Sequence, residues 1–203
     1  DRTFTRGPWA IATARLPPDF TFTAADAGTR TFTVVLTKAA ASSISVSSAV
    51  LPKVTANVVV GHAPAVQVTL QGLPAQVAVS VAQSITVTVR DAFGNAVTDY
   101  TGTIHFKNTD PQATPIPDAT FAATDLGSKV VTVQFGTAGA QALLATDPLR
   151  PLITGSATTQ VTRGAAARLV LAGIPSSAVA GALLSATLTA VDANNNVVTD
   201  FTG

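Results

Sequence analysis

The chain has 203 residues, which is enough for about two domains of ordinary size. Hydrophobic residues make up 47% and charged residues 11%, so the chain can bury a core, and disorder caused by excess charge is excluded. With a net charge of +1, 12 scattered basic residues and no Cys, the sequence favours neither a nucleic-acid surface nor a disulfide or thiolate-metal framework.

Alternation of polar and apolar residues predicts short strands. Ile85, Val87 and Val89 alternate with polar neighbours, and Ile104 and Phe106 share one face of the next such segment. Clusters of Gly, Pro, Asn and Asp separate these segments at intervals of roughly ten residues, which is typical of a β-sandwich. No segment has a convincing 3.6-residue period with caps. In chain order, the predicted strands are 66–70, 84–90, 101–107, 119–123, 129–135, 140–146 and 156–162.

The chain also repeats itself. A shift of 101 residues aligns 91–102 (DAFGNAVTDYTG) with 192–203 (DANNNVVTDFTG), and eight of the 12 positions are identical. A shift of 99 aligns 18–34 with 117–133, where nine of 17 positions match. Internal repeats of this kind indicate a modular fold with a unit of about 100 residues.

We therefore predict an all-β chain of tandem antiparallel β-sandwich repeats that is cut out of phase. Residues 1–62 are the C-terminal part of one repeat, 63–163 are a complete repeat, and 164–203 are the N-terminal part of a further repeat. Met is absent, including at position 1, which indicates a processed or excised piece. A β-solenoid is the alternative fold, but no repeat of roughly 20–30 residues is visible.

One motif resembles a known family. An alternating strand followed by Asp-x-x-Gly-Asn-x-Val and then a Gly and a Phe resembles the bacterial immunoglobulin-like repeats of invasins, intimins and related surface proteins. Residues 22–29 are similar to a later hairpin of large repetitive bacterial exoproteins. The resemblance implies immunoglobulin-like sandwiches on the bacterial surface. The motif residues are Asp91, Gly94, Asn95, Val97, Gly102 and Phe106.

The sequence offers little catalytic material, so we predict that the chain is not an enzyme. His62 lies in a Gly-His-Ala-Pro segment between repeats, and His105 lies on the outward face of its strand. We expect structural roles for both. No metalloprotease, phosphate-binding or nucleophile-elbow motif is present.

One repeated polar constellation allows two interpretations. Oxygen ligands on one loop can bind Ca²⁺ and stiffen an array, but Asp also caps turns, and Gly94-Asn95 suits a turn with positive φ. The turn is favoured because the dense acids of an EF-hand loop are lacking. The weak calcium candidates are Asp91, Asn95, Asp99, Asp192, Asn196 and Asp200; no other metal or cofactor is expected.

Two other features of the sequence allow more than one interpretation. Trp9 is the weak candidate for a sugar-binding aromatic, although packing in the core or at a junction is the favoured role. Residues 169–191 contain no charge over a length that could span a membrane, but their polar residues favour strands instead.

These observations predict a structural protein outside the cell or on its surface, which forms a stalk, fibre or filament. Its half-domains would be completed head to tail by neighbouring copies or by the rest of a longer chain. The alternatives are an adhesin module for a sugar or host protein, or an accessory domain of a secreted hydrolase.

Overall fold

The computed structural model describes residues 14–202, and this range is all-β except for two short 3₁₀ turns. The prediction of an all-β sandwich is therefore confirmed. The described residues fall into two compact units. One takes in the chain up to Ala65 together with Arg90–Val97, and the other takes in Val66–Val89 and the chain from Thr98 onward. The predicted repeat boundaries remain a prediction.

The first unit contains two pairs of antiparallel strands. β3 pairs with β4 from Ala40 opposite Val60 to Val46 opposite Val54, and β1 pairs with β2. Phe20 packs edge-on against Phe22 and Phe32, with ring centroids 5.1 and 5.5 Å apart. The strands are β1 (Ala14–Arg15), β2 (Val35–Leu36), β3 (Ala40–Val46) and β4 (Val54–Val60), and a 3₁₀ turn covers Ala24–Asp26.

The longer strands follow in the rest of the chain. Their bounds are β5 (Ala65–Gln71), β6 (Gln76–Ala78), β7 (Gln83–Asp91), β8 (Thr103–Asn108), β9 (Ala119–Thr120), β10 (Ser128–Val133), β11 (Gly139–Asp147), β12 (Arg150–Thr162), β13 (Arg168–Ala172) and β14 (Thr187–Val191), with a second 3₁₀ turn at Ala123–Asp125. The strand order is β10-β7-β5-β12-β11-β8-β9, and β13 pairs separately with β14.

β12 pairs with three other strands. It pairs antiparallel with β11, but it also runs parallel to β5 near Thr154 and parallel to β6 near Gln160. Gly72 lies just after β5, where the chain turns toward β6. Its φ of +91° is accessible to glycine at little cost. The sandwich thus contains parallel pairings beside its antiparallel ladders.

The core is built from the residues that alternation selected. Ile85, Val87, Val89 and Ile104 are fully buried, and Phe106 is buried beside them. The core also contains Leu143, Ala145, Val133, Phe135 and Val161, which are all buried. Period-two alternation therefore located the inward face of β7 and β8, because successive strand side chains point to opposite sides.

Six of the seven predicted strands match observed strands. Five agree to within a few residues, and the sixth, β12, begins six residues earlier than predicted, at Arg150. The predicted strand 119–123 is wrong beyond Thr120, because the chain enters a 3₁₀ turn there. The carboxylate of Asp125 accepts a hydrogen bond from the Ala122 N–H at 2.6 Å, and Leu126 adopts φ +50°. Asp26 makes the equivalent bond with the Thr23 N–H at 2.7 Å, so this turn occurs twice, 99 residues apart.

Candidate functional site

A network of hydrogen bonds surrounds a buried carboxylate in the loop that follows β7. Asp91 is fully buried at the end of that strand. Its Oδ1 accepts hydrogen bonds from the backbone N–H groups of Phe93 and Asn95, at 2.9 and 2.8 Å. Its Oδ2 accepts one from the Ala63 N–H and one from the Asn95 side-chain amide, both at 2.8 Å. The carboxylate therefore fixes both the loop and the segment that leads into β5.

The Asn95 side chain reaches in the other direction. Its Nδ2 donates to the backbone carbonyl of Thr37 at 2.7 Å, and its Oδ1 accepts from the backbone N–H of Ala39 at 2.8 Å. Thr37 and Ala39 lie between β2 and β3. One amide thus binds two main-chain groups of a distant part of the first unit, and we call residues 91–95 the first Asp–Asn loop.

A second Asp–Asn loop, residues 192–196, follows β14. Asp192 Oδ2 accepts from the Gly164 N–H at 2.9 Å, and Oδ1 accepts from the N–H groups of Asn194 and Asn196, both at 2.8 Å. Asn196 Nδ2 donates to the Gly136 carbonyl at 2.9 Å, and its Oδ1 accepts from the Ala138 N–H at 2.8 Å.

The two loops share one geometry. Each Asp N–H donates to the carbonyl of its Asn, at 3.0 Å for Asp91 and 2.9 Å for Asp192. Gly94 and Asn195 adopt φ +84° and +68°, so the predicted positive φ is present at this position in both loops. Asn95 is not among the described residues with positive φ, so the prediction is confirmed at Gly94 and is wrong at Asn95.

These contacts set the charge state of the two buried carboxyl groups. Burial alone raises the pKa of Asp91, but hydrogen bonds from the Asn95 amide and from the N–H groups of Ala63, Asn95 and Phe93 outweigh it. The pKa therefore lies below its ordinary value of 3.8. The pKa of Asp192 is lowered in the same way, against burial, by Asn196, Gly164 and Asn194.

Acid should weaken both loops. A carboxyl group with a depressed folded-state pKa contributes stability that is complete above its ordinary pKa and is lost as the pH falls through the folded-state value. We expect the urea midpoint to stay level from about pH 8 to pH 5 and to fall below about pH 4. Circular dichroism at a series of pH values measures this, and a variant without Asp192 should lose less of its own stability on acidification.

The remaining calcium candidates lie outside this arrangement. Asp99 is exposed. The hydrogen bonds that Asp91 accepts come from Ala63, Phe93 and Asn95. Asp200 is exposed and pairs with Arg163, whose Nη2 lies 2.9 Å from its Oδ1. Within residues 14–202, no group of three or more His, Cys, Asp or Glu side chains is arranged to hold a metal ion.

We expect calcium to have no effect on folding. All four oxygens of Asp91 and Asp192 already face N–H donors, and a cation needs those same lone pairs. The melting temperature should be equal, within error, in millimolar Ca²⁺ and in excess chelator. A calcium-dependent rise that disappears in an Asp91→Ala variant would instead establish a site there.

Both histidines lie beside an oxygen acceptor. His105 is exposed, as predicted, and its Nδ1 lies 2.7 Å from Asp118 Oδ1. His62 is half-buried, with Nδ1 3.0 Å from the Ala63 carbonyl. Trp9 lies outside the described residues. The uncharged stretch 169–191 forms β13, a loop and β14, and no helix in the described range is long and apolar enough to cross a membrane.

Sequence reasoning missed a buried polar cluster around Asp147. Tyr100 donates its hydroxyl to Asp147 Oδ2 at 2.8 Å, and Arg150 Nε donates to the same oxygen at 2.8 Å. Burial raises the pKa of Tyr100, and the neighbouring carboxylate raises it further. The only signal was the spacing of Asp147 and Arg150 across a Pro-containing turn, and Tyr100 lies 47 residues away in sequence.

Comparison with known proteins yields structural likenesses only. No protein-family description matches the sequence, and no curated protein matches it. The fold is similar to that of FdeC, an Escherichia coli adhesin, with 19% identity over 79% of this chain and 53% of that one, at a TM-score of 0.43. It is also similar to invasin, described as a bacterial integrin-binding protein, with 16% identity over 100% of this chain and 41% of that one, again at 0.43.

A third likeness is to the S-layer protein SbsC, with 18% identity over 100% of this chain and 24% of that one, at a TM-score of 0.39. The chain thus spans between about a quarter and about a half of the length of these three structures.

Proposed function

We propose that this chain is a structural segment of an extracellular bacterial stalk, fibre or filament that is built from immunoglobulin-like repeats. In this proposal the chain is not an enzyme. Each repeat buries its own core, contacts mainly its neighbours, and transmits load along the array. The half-domains at either side of the central repeat are completed by neighbouring copies or by the rest of a longer chain.

The observation that carries this proposal is the exposure of repeated core positions. Val68 and Val87 are 4% and 0% exposed in the central sandwich. A shift of 101 residues places Leu169 and Leu188 at these positions, and they are 54% and 62% exposed. Apolar faces of this kind need a cover. β13 and β14 are the equivalents of β5 and β7. We therefore expect them to be covered by the equivalents of the strands that cover β5 and β7 in the central sandwich.

One side chain also indicates what the covering segment is like. Tyr100 donates a hydroxyl hydrogen bond to buried Asp147, but the equivalent of Tyr100 in the last repeat is Phe201, which has no hydroxyl. If the covering segment carried a carboxylate at the position of Asp147, that carboxylate would have no hydroxyl donor, because Phe201 replaces Tyr100. Ser48 lies at the position of Asp147 after a shift of 99, and it caps the Leu51 N–H at 2.9 Å as Asp147 caps Arg150. A segment like 40–60 therefore suits Phe201.

Small-angle X-ray scattering of the full chain over a range of concentrations tests the proposal. We expect an elongated particle whose cross-section is that of one sandwich, and we expect association to increase its length at constant cross-section. Leu188→Lys should block this association by placing a charge on the apolar face. Thr187→Lys, on the neighbouring residue of β14, is the matched control and should leave it intact.

The outcome that would contradict the proposal is a compact particle, or association that thickens the cross-section. Equal behaviour of the Leu188→Lys and Thr187→Lys variants would contradict completion of β13–β14 by another copy. An adhesive role for the same array, with a host protein or carbohydrate as ligand, stays a prediction.

A further inference from the structure

We propose that each Asp–Asn loop is a coupler that binds the main chain of the preceding repeat, so that repeats of different sequence can be joined in the same way. This inference rests on the proposed function, since a coupler requires an array. It adds the physical means by which one repeat recognises the next.

Both loops contact the repeat that precedes their own. In the predicted repeat boundaries, Asn95 belongs to the central repeat, whereas Thr37 and Ala39 belong to the repeat before it. In the second loop, Asn196 belongs to the last repeat, and Gly136 and Ala138 belong to the central one. In both cases the amide binds one carbonyl and one N–H, two residues apart. A primary amide matches this pair because it carries one acceptor and two donors.

The buried carboxylate has a role in the same contacts. Asp192 holds the Asn196 amide through Nδ2 at 2.9 Å and also holds the Gly164 N–H, which lies at the start of the last repeat. The same carboxylate therefore anchors the junction segment and orients the amide. Because Asp192 is nearly inaccessible to solvent, these charge-assisted hydrogen bonds are weakly screened.

The contacts of the two amides are made to main-chain groups, whatever side chains the bound segments carry. The bound segments read Thr37-Lys38-Ala39 and Gly136-Thr137-Ala138, and the loop interiors read Phe93-Gly94 and Asn194-Asn195. Despite these differences, the Nδ2-to-carbonyl distances are 2.7 and 2.9 Å, and the Oδ1-to-N distances are both 2.8 Å. Every residue except proline presents the same two main-chain groups, so the coupler needs only a matching backbone.

The glycine at 136 has a separate cause. A Cβ built there would lie 2.8 Å from both Cβ and the carbonyl oxygen of Gln112. Crowding by Gln112, and not the contact with Asn196, therefore requires this glycine. The equivalent position in the earlier repeat is Thr37, whose carbonyl accepts a hydrogen bond from Asn95 Nδ2 at 2.7 Å although Thr37 carries a Cβ.

Amide hydrogen exchange on the full chain tests the coupler. In Asn196→Ala we expect the Ala138 amide to exchange at least about tenfold faster, while the Leu143 amide in the central core keeps its rate. Asn57→Ala, on the exposed face of β4, is the control and should change neither rate. Unchanged protection of Ala138 in the Asn196→Ala variant, or an equal loss at Ala138 and Leu143, would overturn the proposal.

A sequence exchange tests independence from side chains. Thr37→Gly combined with Lys38→Thr gives the first junction the sequence of the second. We expect the Ala39 amide to remain within about threefold of its original exchange rate, and we expect Asn95→Ala to expose it in either background. Loss of Ala39 protection in the exchanged chain, with Asn95 present, would show that side chains specify the junction.

The two proposals can fail separately. A compact particle in scattering, with Ala138 protection that still depends on Asn196, would remove the array and leave only a local contact. A rod whose Ala138 protection ignores Asn196 would leave the array and refute the coupler.

Discussion

Replacing Gly155 by Ala is expected to destabilise the chain by about 3 kcal/mol, at the upper end of the range for overpacked cores. Gly155 lies in β12, where that strand runs beside β5. A Cβ at this position would overlap the carbonyl oxygen of Val68 and would lie 2.7 Å from its carbonyl carbon. The obstacle is backbone, so no side-chain rotation can relieve the clash, and the two strands must separate. Urea unfolding followed by circular dichroism measures the change.

Gly61→Ala is the matched control for this substitution. A Cβ built at Gly61 meets nothing within 4 Å, and its φ lies outside the left-handed region. We expect its free energy of unfolding to stay within about 0.5 kcal/mol of the original chain. If both variants unfold at the same urea concentration, the close approach of β5 and β12 does not contribute as argued.

The second large effect is expected for Asp192→Ala. Alanine removes the acceptor from the N–H groups of Gly164, Asn194 and Asn196, and from the Asn196 amide. Buried donors that lose their partner cost about 1–3 kcal/mol each when water cannot reach them. Since part of the loop can relax toward solvent, we expect a total loss of about 3 kcal/mol. The measurement is again urea unfolding, at pH 7.

Asp200→Ala provides the comparison in the same part of the chain. Asp200 is exposed, and its contact is the ion pair with Arg163, which solvent screens. Its unfolding midpoint should remain close to that of the original chain. A similar loss for both variants would mean that charge, and not the hydrogen-bonded position of Asp192, determines stability here.

Many features of this fold could be predicted because they depend on local periodicity. Ile85, Val87 and Val89 alternate with polar residues over a full strand, and the alternation is strong enough to define the inward face. β6 was missed because Gln76–Ala78 is three residues long and contains less than two periods. The end of β9 was misplaced because the Asp125 carboxylate caps a 3₁₀ turn, and this competes with strand propensity.

The repeat and the turn at Gly94 and Asn195 could be predicted from the sequence. The repeat is visible when the chain is aligned with itself, and Gly and Asn are the residues that favour positive φ. The partners of Asp91 and Asn95 were not. They are main-chain groups at Thr37, Ala39 and Ala63, and every non-proline residue carries the same N–H and C=O. The crowding at Gly155 could not be predicted either, because it comes from the backbone of Val68, which lies 87 residues earlier in the chain.

The sequence by itself therefore determined that this chain is all-β and that its sequence repeats with a period of about 100 residues, since alternation and repetition are properties of side-chain order. Only the tertiary structure decided what the repeated Asp and Asn do. Their carboxylate and amide groups can serve a turn, a cation or a junction, and the choice depends on which backbone donors folding brings within 3 Å. In this fold the carboxylates of Asp91 and Asp192 accept hydrogen bonds from N–H donors, and the side-chain amides of Asn95 and Asn196 bind main-chain groups that are distant in sequence.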